Sequence, residues 1–177
     1  MSGHTYPPSA RLLHWAMAAL ILSMLFLGVS MIDSLAIWQH PARTLHKSFG
    51  ILALLLVALR LTNRLRFTAP GLPADLAPAQ RFAARGSQVL LYALMIAVPL
   101  TGWAMQSAGG VPVRVFGLLT LPPIAPARLE LYALFREGHA LLTWGLFGLI
   151  LLHIGAALHH GLIRRDGVLA GMLGRRP

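Results

Sequence analysis

Imidazole is the ligand type this chain holds in quantity. Its 177 residues include eight histidines, five carboxylates and no cysteine. Four of the histidines, His14, His46, His139 and His153, fall inside or at the ends of long apolar stretches. An ionisable group in such a stretch is costly to keep, which makes each one a functional-site hypothesis. His139 and His153 lie in the same stretch, 14 residues apart. At about 100° and 1.5 Å per residue they share one helix face, roughly 21 Å apart along the axis. Each therefore needs a partner at its own level. Two imidazoles approaching from opposite sides, one from each of two helices, are what bis-histidine ligation of a haem iron requires. Without cysteine, disulfides, iron–sulfur clusters, thiolate-ligated haem and covalent haem attachment through C-x-x-C-H are excluded. Zinc would be under-coordinated, with two histidines per level and only Glu137 as a nearby carboxylate.

The elements that must carry these histidines are membrane spans. The chain is 56% hydrophobic and 11% charged, against about a quarter charged in a soluble globule. The first uncharged run covers residues 12–32, long enough to cross the hydrocarbon, which takes about 20 residues. Arg11 precedes it as in a signal peptide, but its length and His14 mark a retained span. The second run is clean only over residues 48–59, between Lys47 and Arg60. Snorkelling of those basic side chains extends the predicted helix to about residues 43–65. The third covers residues 86–107 and contains Pro99, which predicts a kink. The fourth covers residues 138–163. Residues 62–85, with Arg64, Arg66, Arg81 and Arg85 among prolines, are expected to form a polar loop, and residues 107–136 a longer irregular segment at the opposite surface. There is no internal repeat. The expected fold class is all-α, one domain over residues 1–177, an integral membrane four-helix bundle with two haems between helices.

Basic residues give the orientation and the pairing. One side collects Arg11, Arg60, Arg64, Arg66, Arg81, Arg85, Arg164, Arg165, Arg175 and Arg176. The other collects Arg43, Lys47, Arg114, Arg128 and Arg136. The positive-inside rule then predicts that both termini are cytoplasmic. The net charge of +10 reads as attraction to anionic lipid, not to nucleic acid. With the first helix running outward and the second inward, His14 lies at the inner level with His153, and His46 at the outer level with His139. The inner match needs adjustment, because His14 is close to Arg11 while His153 is further from Arg164. Either the fourth helix protrudes inward or the first begins before Arg11.

Several short motifs surround these histidines: Arg11-Leu12-Leu13-His14-Trp15, Leu45-His46-Lys47-Ser48-Phe49-Gly50, Gly138-His139, Leu152-His153, His159-His160 and Arg164-Arg165-Asp166-Gly167-Val168-Leu169. In these motifs, over nearly its whole length, the chain resembles the prokaryotic cytochrome b561 family of four-helix di-haem cytochromes linked to quinone. The resemblance implies bis-histidine ligation of two b haems by His14, His46, His139 and His153. It also implies a quinone-side histidine seven residues beyond the inner ligand, here His160. The family pattern often has its histidine pair one position later, where this chain has Gly161, so the role of His159 stays open. The family includes a superoxide oxidase that passes electrons to ubiquinone.

The leading functional expectation is thus transmembrane electron transfer in a bacterial inner membrane, from superoxide on the periplasmic side to ubiquinone. Arg43, Lys47, Arg114 and Arg136 would attract the anion. The alternative is a membrane cytochrome b anchor subunit that links the quinone pool to a separate periplasmic redox protein. A non-redox metal or solute carrier would purify colourless. Other residues receive plainer readings. Trp15, Trp38, Trp103 and Trp144 suit an interfacial belt. Met17, Met24, Met31, Met95 and Met105 suit packing. Gly50, Gly145, Gly148 and Gly155 could let a porphyrin or another helix approach closely, helix packing being the plainer reading. Arg43, Arg60, Arg85 and Arg136 could pair with haem propionates or with lipid headgroups.

Overall fold

The structure is a computed structural model that describes residues 6–31, 38–67, 71–73 and 75–174. Arg175, Arg176 and the last residue of the first apolar run, Ile32, lie outside the described residues. Four helices are long and apolar enough to cross a membrane. They are α1 (Pro8–Ser30), α2 (Gln39–Arg66), α3 (Pro78–Ala108) and α4 (Leu129–Leu158). A π-helical turn, His159–Arg164, continues α4, and a short α5 (Val168–Leu173) follows.

Each helix begins before its uncharged run, because helix ends are set by backbone caps and the ends of the hydrocarbon are not. Pro8 occupies the first turn of α1, where a missing N–H costs nothing. Pro78 does the same for α3. The polar loop expected over residues 62–85 is therefore short, and most of it is helical. Likewise α4 begins at Leu129 and not near residue 138, so its first turns stand outside the apolar stretch. Helix α3 runs on through Pro99. Helix α1 begins at Pro8, before Arg11, which is one of the two adjustments that the levels of His14 and His153 required.

The irregular segment between α3 and α4 contains an antiparallel hairpin, β1 (Val113–Val115) and β2 (Leu119–Leu121), with Val113 opposite Leu121. Phe116 and Gly117 turn it with positive φ. Ser48, 1% exposed, fastens it to α2: the Ser48 hydroxyl donates to the Arg114 carbonyl at 3.3 Å and accepts from the Phe116 N–H at 2.9 Å. Phe49 and Phe116 meet edge to face beside it.

Packing runs in the order α1, α2, α3, α4. Few side chains are fully enclosed. Met17, Val57 and Leu146 are the apolar long-helix residues nearest complete burial. The broad exposed apolar surface is what lipid covers. Both described chain ends lie together, since Tyr6 N–H donates to Gly171 C=O and Trp15 Nε1 to Met172 C=O. Trp15 thus acts as a tie as well as an interfacial ring. A reporter fused to the C-terminus should therefore give a cytoplasmic signal, as the arginines at this end require. A signal from the opposite compartment would reverse the electron-flow scheme developed below.

Candidate functional site

The alternating helices bring the four histidines into two pairs. At the hairpin end the rings of His46 and His139 have centroids 6.4 Å apart and planes 76° apart. At the end holding the termini, His14 and His153 lie 6.2 Å apart at 61°. Two imidazoles on one metal, with nitrogen–metal bonds of about 2 Å on either side, place their centroids about 6 Å apart. Among the described residues no group of three or more His, Cys, Asp or Glu is placed to hold a metal ion. Each level offers two imidazoles and no third ligand, which suits a macrocycle that supplies the remaining bonds itself.

The helices carrying each pair are the ones that do not pack together. Helix α4 lies along α3 but has no comparable packing with α1 or α2. The imidazoles reach across that separation. On α4, Leu146 lies midway between His139 and His153 on the same face and is 3% exposed. It forms an apolar step between the two levels. Thr143, one turn beyond His139, has a buried hydroxyl with no partner among the described residues, and so does Nδ1 of His46. Gly50 stands one turn beyond His46, and a Cβ there would meet nothing within 4 Å. The unpartnered polar atoms, the open ground at Gly50 and the spacing of the rings all fit a bound haem. Gly145, Gly148 and Gly155 are equally open but lie on another face of α4. Nothing lies within 4 Å of a Cβ at any of them, and they are turned about 120° or more from the histidine face. The close helix contact expected of these glycines does not occur.

His139 is held most firmly. Its Nδ1 donates to the Val98 carbonyl at 2.9 Å. The same carbonyl accepts from Thr101 Oγ1 at 2.8 Å. A carbonyl can only accept, so the ring proton is on Nδ1 and Nε2 keeps its lone pair, the arrangement of a metal-ligating histidine. Gly102 permits this, because a Cβ there would come 3.2 Å from His139 Cε1. His46 similarly faces Gly28 of α1, whose Cβ position is 3.5 Å from its ring. At the other level His14 Nδ1 meets Arg60 Nη1 at 2.8 Å. The guanidinium can only donate. Nδ1 of His14 therefore accepts here, and iron ligation through Nε2 would require Arg60 to turn away. Arg60 stands on the His46 face of α2, 14 residues further on. Its Nε donates to the Tyr92 hydroxyl at 3.0 Å.

His160 belongs to neither pair. It lies in the π-helical turn, beyond His153, and its Nδ1 contacts Asp166 Oδ2 at 2.5 Å. That oxygen also accepts from Arg164 Nε at 3.0 Å, and Arg164 reaches Asp75 at 2.6 Å. Burial pushes the Asp166 carboxyl up, but the hydrogen bonds from His160, Arg164 and the Val168 N–H outweigh it and leave the pKa below the ordinary value. The ring of His159 lies 6.1 Å from that of His160 and its side is exposed.

Sequence reasoning missed Gly102, the Val98 carbonyl, Ser48 as the hairpin fastener and Asp166 as the partner of His160. Ser48 and Asp166 stand within motifs that were read. Gly102 carries no signal that separates it from other helix glycines.

A family model described as prokaryotic cytochrome b561 matches residues 5–175. Cytochrome b561 homolog 2 of Escherichia coli (strain K12) is 34% identical over 166 residues, 92% of this chain and 87% of that protein. Cytochrome b561 homolog 1 of the same organism is 32% identical over 136 residues, 76% of each chain. A protein of Yersinia pestis named probable superoxide oxidase CybB is 27% identical over 168 residues, 93% of each. With its four apolar helices and paired histidines, the chain belongs to the prokaryotic cytochrome b561 family, multi-pass bacterial membrane proteins of transmembrane electron transfer with haem b as cofactor.

Proposed function

We propose that this chain passes electrons across the plasma membrane from superoxide, at the hairpin end, to ubiquinone, at the end holding the termini. His46 with His139, and His14 with His153, would each hold one haem b. The observation that carries this reading is the two imidazole pairs of matched spacing, stacked along one face of α4 and bridging helices that do not pack together. A haem at each level supplies a one-electron centre, and its redox chemistry is its own. The protein contributes ligands of fixed tautomer, as at His139, an apolar step at Leu146, and charge at the two ends. Arg60, released from His14, is the cation available to a propionate at that level.

The choice of superoxide rests on the Yersinia pestis relative and on the charges of the hairpin end. There Arg136 lies 3.8 Å from Glu137, and Arg128 lies 3.6 Å from Glu130. These pairs partly cancel their own fields. Arg43 is held by Gln39 at 2.7 Å, and neither it nor Lys47 has a carboxylate partner among the described residues. Both lie on the first turns of α2, next to His46. Steering of a small anion is an on-rate effect that salt screens. Reduction of the purified holoprotein by superoxide, followed by haem absorbance in stopped flow, should therefore slow with added salt. Lys47→Gln should slow it about threefold. Arg136→Gln should slow it less, since Glu137 already offsets that charge.

One observation favours a second reading. The hairpin exposes Phe116, Leu118 and Leu119, with Leu118 91% exposed. An apolar tip beyond the spans suits a docked redox protein, as an anchor subunit would need. Slow, salt-independent reduction by superoxide, with rapid reduction by a co-purifying protein donor, would select this reading over the first.

A further inference from the structure

At the end holding the termini, α2 and α3 form a half-open cavity of about 300 Å³ lined by Arg64, Arg85, Gln88, Val89 and Tyr92. Its two guanidinium groups come from different helices. Gln88 steadies one of them, accepting from Arg64 Nη2 at 2.9 Å. No carboxylate lines the cavity. The carboxylates described at this end are Asp75 and Asp166, and Arg164 engages both. Neither Arg64 nor Arg85 has an acidic partner among the described residues. Two like charges facing one cavity repel unless an anion sits between them. Val89 and Tyr92 continue the lining toward the apolar part of α3, so the site is charged at one end and apolar at the other. It lies where the charged ends of the helices meet the headgroup layer.

We propose that this cavity is a binding site for the phosphodiester of an anionic phospholipid, with Arg64 and Arg85 on the phosphate oxygens and the acyl chains against α3. Basic pockets between helices at a membrane surface bind such headgroups, and guanidinium matches phosphate oxygens in fork geometry. A neutral quinone would leave both charges uncompensated. The site is also linked to the nearer histidine pair. Tyr92 accepts from Arg60, and Arg60 contacts His14.

The test is native mass spectrometry of the holoprotein released from nanodiscs of phosphatidylglycerol or of phosphatidylcholine. Wild type should retain one phosphatidylglycerol and no phosphatidylcholine. Arg64→Gln with Arg85→Gln should weaken retention about thirtyfold. The exposed Arg85→Gln alone should weaken it about fivefold, and it covers the case where the double variant loses its haem spectrum. Arg66→Gln with Arg165→Gln removes the same charge at the same end and should leave retention intact. Equal loss in that control would reduce the effect to diffuse surface charge and overturn the proposal. So would unchanged retention in the Arg64 and Arg85 variants. Displacement by millimolar inorganic phosphate would make this a site for free anions, and stoichiometric displacement by a short-chain ubiquinone would make it a quinone site. Either would overturn the lipid assignment.

Discussion

Alanine at His46 or at His139 should each lower the haem content of the purified protein from about two per chain to about one. Both variants should lose the same spectral component and keep the other. His14→Ala and His153→Ala should remove the complementary component. The expectation follows from the ring spacing at each level: the two imidazoles of a pair would hold the same haem, so losing either would affect the same site. Haem extraction and reduced-minus-oxidised spectra of the four variants measure it directly. Gly102→Ala is the finer test. Its added methyl would come 3.2 Å from His139 Cε1, so the ring must shift by a few tenths of an ångström. The component lost in His46→Ala should then be perturbed, and the other left unchanged. If His46→Ala and His139→Ala removed different components, the pairing would be wrong, and the electron path with it.

Reduction of ubiquinone should slow about a hundredfold in His160→Ala with both haem spectra intact. Quinone takes up protons as well as electrons on reduction, so a proton donor must stand where it binds. His160 lies beyond His153 at the headgroup end of α4, with its Nδ1 on Asp166. An ionised carboxylate only accepts, so Nδ1 carries the hydrogen and Nε2 is left to face a ligand. Asp166 thus holds the ring so that Nε2 faces the bound quinone, where it can take part in proton transfer. Asp166→Asn should therefore loosen the ring and slow quinone reduction at saturating quinone, while superoxide-driven haem reduction stays unchanged. The hydrogen bonds from His160, Arg164 and Val168 hold the Asp166 pKa below its ordinary value. The carboxylate contributes its stabilisation above the unfolded value and loses it only as pH falls through the lower folded one, so Asp166 stays charged throughout the working range. An unchanged quinone rate in His160→Ala would return this residue to an exposed histidine at a helix end.

The sequence by itself determined the membrane class, the four spans and the histidine pairing. These are local or periodic properties. A span is a run of apolar residues, the shared face of His139 and His153 follows from helix geometry, and alternating spans place His46 beside His139 and His14 beside His153. Helix ends were less legible, because Pro8, Pro78 and Leu129 start helices outside the apolar runs, where hydropathy is silent. What only the tertiary structure decided are contacts between residues remote in the chain. No pattern within α3 tells that Gly102 gives ground to an imidazole from α4, or that the Val98 carbonyl fixes its tautomer. Likewise Ser48 fastens a hairpin more than sixty residues away, and Arg164 takes up both nearby carboxylates. That last choice leaves Arg64 and Arg85 facing one cavity without a counter-charge. Composition could count those charges, but only the arrangement of the helices determines which of them meet.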